Sequence, residues 1–210
     1  MNGLELAGVR IAVHGRRLLG PLDARVLPGT TVTVMGRSGC GKSTLLAFIA
    51  GTLEPAFSAA GAVRVDGEDL LALPPERRRV GILFQDDLLF PHLSVGDNLA
   101  FALPRTRAGR AARRAAVAQA LVEADLAGFE DRDPATLSGG QRARVALMRT
   151  LLAAPRVLLL DEPFNRLDAA LREDFRRFVF DHARERRLPV LLVTHDAADA
   201  AAAAGPLIEL

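Results

Sequence analysis

A chain of 210 residues, 50% hydrophobic and 25% charged, can bury one good core, and its 27 basic against 25 acidic residues leave a formal charge of only +2, which does not indicate a nucleic-acid partner. The apolar runs at 157–160 and 190–193 are far too short to span a bilayer, and the first residues lack the charged and apolar regions of a secretory signal. A single cysteine, Cys40, excludes an internal disulfide and suits a reducing compartment, so the expectation is a folded cytosolic chain that meets a membrane only through a partner.

From 4 to 13 and again from 22 to 27, apolar residues alternate loosely with polar ones, and Pro28-Gly29 makes a turn; both segments are expected in an antiparallel β-layer. Thr31-Val32-Thr33-Val34-Met35 reads as a buried strand. It runs into Gly36-Arg37-Ser38-Gly39-Cys40-Gly41-Lys42-Ser43-Thr44, a P-loop. The glycines let consecutive backbone N–H groups turn inward toward phosphate oxygens. Lys42 reaches the β and γ phosphates, Ser43 offers a hydroxyl to Mg²⁺, and the helix through 45–50, closed by Gly51, turns its positive end toward the same anion. Lys42 is the only lysine in a chain otherwise committed to arginine. Cys40 carries two readings, redox control or a tolerated variable position.

Residues 52–61 read as a loop, followed by a short strand at 63–65 that joins the first layer. Pro74-Pro75-Glu76 opens a short helix, and Val80-Gly81-Ile82-Leu83-Phe84 is a second buried strand ending at Gln85. From 86 to 154 helical spacing replaces the strand pattern, which predicts a helical subdomain inserted in a nucleotide-binding core formed by 1–85 and 155–210. Ser94 is an N-cap for a helix over 95–103, 105–109 is a flexible link, and a long Arg/Ala helix covers 110–126. Its Arg110, Arg113 and Arg114 share one face, read as solvated rather than as a lipid or nucleic-acid patch.

Ser138-Gly139-Gly140-Gln141 is a capping box for a helix reaching about 153, with two glycines as the anomaly. Glycine is poor helix material, so its doubling at a helix start suggests that another group approaches the backbone there, as a phosphate would. Val157-Leu158-Leu159-Leu160 is a fully apolar strand delivering Asp161 and Glu162 at its C-terminal end, the edge where open α/β sheets bind ligands. A helix over 169–187 is expected to bury Leu171, Phe175, Phe178 and Val179 and to expose its arginines. Val190-Leu191-Leu192-Val193-Thr194 is another core strand, with His195 at its end. Gln85, Asp161, Glu162 and His195 thus converge.

This ordered set resembles the ATP-binding cassette family over nearly the whole chain: the P-loop, Gln85, Leu137-Ser138-Gly139-Gly140-Gln141, Asp161-Glu162, Leu167-Asp168 and His195. Residues 78–82 and 88–98 are similar to the ATPase subunits of short bacterial importers of the thiamine, iron and polyamine group. The resemblance implies an α/β P-loop fold with a mainly parallel core sheet, an N-terminal antiparallel β-layer and the inserted helical subdomain. It also implies hydrolysis of ATP with Mg²⁺ held by Ser43, Asp161 and Gln85. Glu162 would be the general base, His195 would steady the attacking water and the γ-phosphate, and Lys42 would neutralise phosphate charge.

The resemblance implies a homodimer as the active unit, in which Ser138 and Gly140, with Gly139 and Gln141 beside them, would close on ATP held by the second copy and Asp168 would lie at the seam. The groove near Phe90, Pro91 and His92 would receive a helix of a transmembrane permease, and an extracytoplasmic substrate-binding protein would act indirectly. The implied location is the cytoplasmic face of the cell membrane, peripheral through the permease. Three departures stand out: no Trp or Tyr to stack on adenine near Val13 and His14, Asn165 in place of the usual serine, and the short stretch after His195, from which no regulatory C-terminal domain is expected. The alternatives are a soluble cassette acting on ribosomes or DNA and the cassette of an exporter.

Overall fold

The computed structural model describes residues 3–104 and 109–210; the flexible link expected at 105–109 lies, except for Gly109, outside the described residues. The strands are β1 (Leu4–Val13), β2 (Arg16–Val26), β3 (Thr31–Met35), β4 (Phe57–Val65), β5 (Glu68–Asp69), β6 (Val80–Leu83), β7 (Val157–Asp161), β8 (Val190–Thr194) and β9 (Leu207–Glu209). Among the described residues they form a 4-stranded sheet in the order β2-β1-β4-β5 and a 5-stranded sheet in the order β6-β7-β8-β3-β9. The α-helices are α1 (Lys42–Ala50), α2 (Pro75–Arg78), α3 (Val95–Ala102), α4 (Arg110–Glu123), α5 (Gly139–Leu152), α6 (Ala169–Glu185) and α7 (Ala197–Ala203). The chain divides into two units, one of Met1–Ile82, Arg156–Glu162 and Arg176–Leu210, the other of Leu83–Pro155 and Pro163–Phe175.

In the first unit, β1 pairs antiparallel with β2 through a tight turn at His14 and Gly15, both at positive φ as a two-residue hairpin requires. β4 pairs antiparallel with the other edge of β1, completing the expected β-layer. β2 begins earlier than the reading from 22, and β4 takes in 57–62, which reads as loop. Phe57-Ser58-Ala59-Ala60 has little β-propensity of its own and is drawn into the sheet by pairing with 10–13 of β1. Gly61 makes that pairing possible. At φ 114, a Cβ there would sit 2.7 Å from Val9 Cα, where the register between β1 and β4 shifts.

The second sheet carries the α/β character: β7 with β8, β8 with β3 and β3 with β9 are all parallel. β7 and β8 are buried along almost their whole length, as expected of strands covered on both faces. Val32 and Val34 of β3, Leu45 and Ile49 of α1, Leu159, Leu191 and Val193 join Leu4 and Leu6 of the antiparallel sheet in one core. Arg78, nearly buried, anchors the far end of α1 by donating to Phe48 O and Ile49 O at 2.9 Å and to Leu73 O at 3.0 Å. A cation at the negative end of a helix is favourable, although burial lowers the Arg78 pKa against the opposing pull of Asp69. Gly51 closes α1 at φ 86, and a Cβ there would meet Arg78 Cζ at 2.7 Å.

The second unit is built on α3, α4 and α5. Ser94 caps α3 by accepting Asp97 N–H at 3.1 Å. α4 stops before 126 because Asp125 turns left-handed at φ 59. Arg113 departs from the expected solvated face: its guanidinium donates to Ala100 O at 2.7 Å and to Pro104 O at 3.1 Å, capping the end of α3, while Arg110 and Arg114 are exposed. In α6 the expected stripe is corrected. Phe175 and Val179 are buried, but Leu171 is exposed, Phe178 is half-buried, and Arg176, expected outside, is 7% exposed. Helix α7 and strand β9 have no counterpart in the sequence reading.

Candidate active site

The site grows from the C-terminal ends of three adjacent parallel strands, β7, β8 and β3. Met35 ends β3, and the P-loop turns from Gly36 into α1 through Gly39 and Gly41, at φ 83 and 96. Gly41 combines that positive φ with a close neighbour, since a Cβ there would lie 3.0 Å from Leu18 Cγ, while one on Gly36 would lie 2.7 Å from Cys40 Sγ. Lys42, only 5% exposed, curls back over the loop, donating to Gly36 O at 2.7 Å and to Arg37 O at 3.2 Å, with Glu162 Oε1 at 3.6 Å. A buried ammonium demands such partners.

β7 delivers the two carboxylates and β8 the imidazole. Ser43 Oγ donates to Asp161 Oδ1 at 2.9 Å. Burial raises the Asp161 pKa; the Ser43 hydrogen bond opposes this, the Glu162 charge adds to it, and Lys42 opposes it again. Glu162 sits at φ 47, a left-handed conformation uncommon for a residue with a long side chain, and is pinned there by its N–H donating to Val193 O at 3.0 Å. Its Oε2 lies 3.1 Å from His195 Nδ1. Lys42, Ser43, Asp161, Glu162 and His195 therefore form one connected cluster within the first unit.

The remaining site residues belong to the second unit. Gln85 lies exposed on a bend two residues beyond β6. Ser138 caps α5, its Oγ accepting Gln141 N–H at 3.3 Å while its own N–H donates to Gln141 Oε1 at 2.9 Å, the reciprocal box that the motif spells out. A Cβ on Gly139 would meet Leu167 Cδ2 at 3.8 Å and one on Gly140 would meet Leu171 Cδ2 at 3.4 Å, both ordinary contacts. Packing within this unit does not require the two glycines. Asp168 accepts Leu171 N–H at 3.0 Å at the start of α6.

Two polar constellations have no counterpart in the sequence reading. Asn98, fully buried, accepts Phe90 N–H at 2.8 Å and donates to Phe90 O, Leu93 O and Ser94 O, fixing the segment that carries Phe90, Pro91 and His92. Phe90 packs edge-on against Phe101, which is 68% exposed. Next to His195 in the chain, buried Thr194 is hydrogen-bonded to Asp199, and Asp199 to buried Arg176. Asn98 bonds to residues four to eight positions before it, whereas the ion pair joins residues 23 apart, and neither leaves a motif in the sequence.

The ABC transporter family model matches residues 19–165. An uncharacterized ABC transporter ATP-binding protein of Escherichia coli (strain K12), YnjD, is 52% identical over 196 residues, covering 93% of this chain and 90% of the relative. The Fe(3+) ions import ATP-binding protein FbpC 1 of Haemophilus influenzae is 42% identical over 98% of this chain, and the spermidine/putrescine import ATP-binding protein PotA of Mesoplasma florum is 39% identical over 95% of it. The chain spans 62% and 56% of the length of these last two. With a family match across most of its length, a relative more than half identical, and a lysine, serine and acid pair gathered at a P-loop, the chain belongs to the ABC transporter family, as one of its ATP-binding subunits.

Proposed function

We propose that the chain is the ATP-hydrolysing subunit of a bacterial importer, powering uptake through a membrane permease. As a member of its family it is an ATPase; the observation that carries the residue roles is the cluster of Lys42, Ser43, Asp161, Glu162 and His195 at one sheet edge. Lys42 and the loop N–H groups neutralise phosphate charge. Glu162 takes a proton from water as its oxygen attacks the γ-phosphorus and the bond to the β-phosphate oxygen breaks, leaving ADP and phosphate. His195, in contact with Glu162, orients that carboxylate and steadies the water.

Ser43 Oγ and Asp161 Oδ1, 2.9 Å apart, are hard oxygen donors of the kind that magnesium accepts alongside water and phosphate oxygens. Among the described residues no group of three or more His, Cys, Asp and Glu could hold a metal on its own. These residues therefore fit a magnesium ion that arrives with the nucleotide. When bound, it supplies neutralisation of the charge on the β- and γ-phosphate oxygens.

Gln85 is a further nucleotide-responsive residue in this reading, supported by its exposed place after β6. Ser138, Gly139, Gly140 and Gln141 act on ATP held by a second copy, with Asp168 at the seam of the homodimer; the ordinary space beside both glycines supports this, since packing within the chain leaves them unexplained. No described helix is long and apolar enough to cross a membrane, so attachment to the cytoplasmic face comes through the permease. The exposed Phe101 and Leu88 beside Phe90, Pro91 and His92 support docking there. A substrate-binding protein completes the system and chooses the cargo. Relatives named for iron and polyamine import favour this reading over action on ribosomes or DNA.

The test is to trap Glu162→Gln chain with ATP in detergent-solubilised membranes of its own source and identify the associated chains by mass. A polytopic permease is the expected companion. Ribosomal or DNA-bound material with no membrane protein would overturn the importer reading and leave the ATPase.

A further inference from the structure

We propose that Thr194, Asp199 and Arg176 form a buried positioning set that holds His195 on Glu162, a role that rests on the catalytic reading of those two residues. Thr194 Oγ1 donates to Asp199 Oδ2 at 2.8 Å and accepts Asp196 N–H at 3.0 Å. One hydroxyl thus ties the residue before His195 to the residue after it, restricting the backbone from which the imidazole projects. The His195 side chain is 51% exposed, so packing around the ring contributes little to holding it and the peptide must do so.

The direction of the hydroxyl is set by the carboxylate behind it. A threonine has one proton to donate. With that proton committed to Asp199, a lone pair faces the Asp196 amide. Asp199 is fully buried; its Oδ1 accepts Arg176 Nε at 2.7 Å and also Arg176 Nη2, while Oδ2 serves Thr194. Arg176 Nη2 is also 3.5 Å from Asp196 Oδ2, and the other oxygen of Asp196 caps α7 by accepting Ala198 N–H at 2.7 Å. The set therefore holds the 194–196 backbone at both ends.

A buried ion pair is a weak stabiliser, since apolar side chains of similar volume often serve as well. What apolar side chains cannot do is orient a hydroxyl. Loss of the set lets the 3.1 Å contact between His195 Nδ1 and Glu162 Oε2 widen, which lowers turnover. Nucleotide affinity is spared, because Lys42 and Ser43 bond to Gly36, Arg37 and Asp161 and not to these three.

Thr194→Val keeps the volume and removes the hydroxyl; Thr194→Ser keeps the hydroxyl. In the full chain, Thr194→Val should lower kcat about tenfold with ATP affinity within about twofold, and Thr194→Ser should bring kcat back to within about twofold of the parent. Placed in a His195→Ala background, Thr194→Val should change the residual kcat less than about twofold, because no imidazole remains to be positioned. An equal loss in both backgrounds, or unchanged kcat in Thr194→Val, overturns the positioning role. Parental kcat in His195→Ala alone removes the catalytic reading itself, and the proposal with it, so the two failures are told apart. If Thr194→Val does not fold, Arg176→Met with Asp199→Leu, which strands no buried charge, carries the same pair of outcomes.

Discussion

Around the P-loop the reactive groups are engaged with one another: Lys42 with two loop carbonyls and Glu162, Ser43 with Asp161, Glu162 with His195. The segment 138–141, by contrast, spends its polar side chains on starting its own helix and keeps ordinary room beside both of its glycines. On the proposed roles the first arrangement has to turn donors toward an arriving phosphate, since two of the three ammonium protons of Lys42 are held by loop carbonyls. The second has only to be approached. Nucleotide binding is therefore expected to be sensitive to single side chains in the first region, and turnover to be sensitive to mere bulk in the second.

The largest effect that bears on this contrast is at Lys42. Lys42→Ala removes the buried ammonium, and ATP affinity measured by titration should fall at least about a hundredfold. Unchanged binding would remove the P-loop from the account. A smaller and more discriminating effect is expected at Gly139, where alanine suits the first turn of a helix better than glycine does and meets only Leu167 at 3.8 Å. Gly139→Ala should hold or raise the thermal midpoint while lowering kcat about tenfold. Parental turnover would mean that nothing needs to approach that backbone.

The smallest effect separates the cost of the first region from its use. Burial raises the Asp161 pKa, so over the interval between the ordinary carboxylate value and the raised one the folded state binds more protons than the unfolded state, and stability falls as pH rises through it. Asp161→Asn should therefore raise the thermal midpoint of the nucleotide-free chain by up to a few degrees at neutral pH. The gain should vanish in acid, where the carboxyl is neutral in both states. A lower midpoint at neutral pH would show that Asp161 stabilises the empty site.

What the sequence made legible was whatever is written in adjacent residues. The P-loop, the Ser138/Gln141 box, and the apolar runs of β7 and β8 each carry their own period or motif, and the structure places them in the α/β fold expected of them. Features decided by partners far along the chain were not legible. The first half of β4 has little strand propensity and exists because β1 pairs with it. Arg176 looks like one more surface arginine of α6 until Asp199, 23 residues away, turns out to be its buried partner. Leu171 fits the apolar stripe of α6 by spacing yet is 40% exposed, above Gly140.

The central claim, that Glu162 is the base of a site which binds ATP through other residues, is tested most directly by measuring ATP affinity and phosphate release side by side for Glu162→Gln. The account predicts affinity within a few-fold of the parent and turnover lower by about a thousandfold. Turnover at the parental rate would contradict it and pass the role of base to another group.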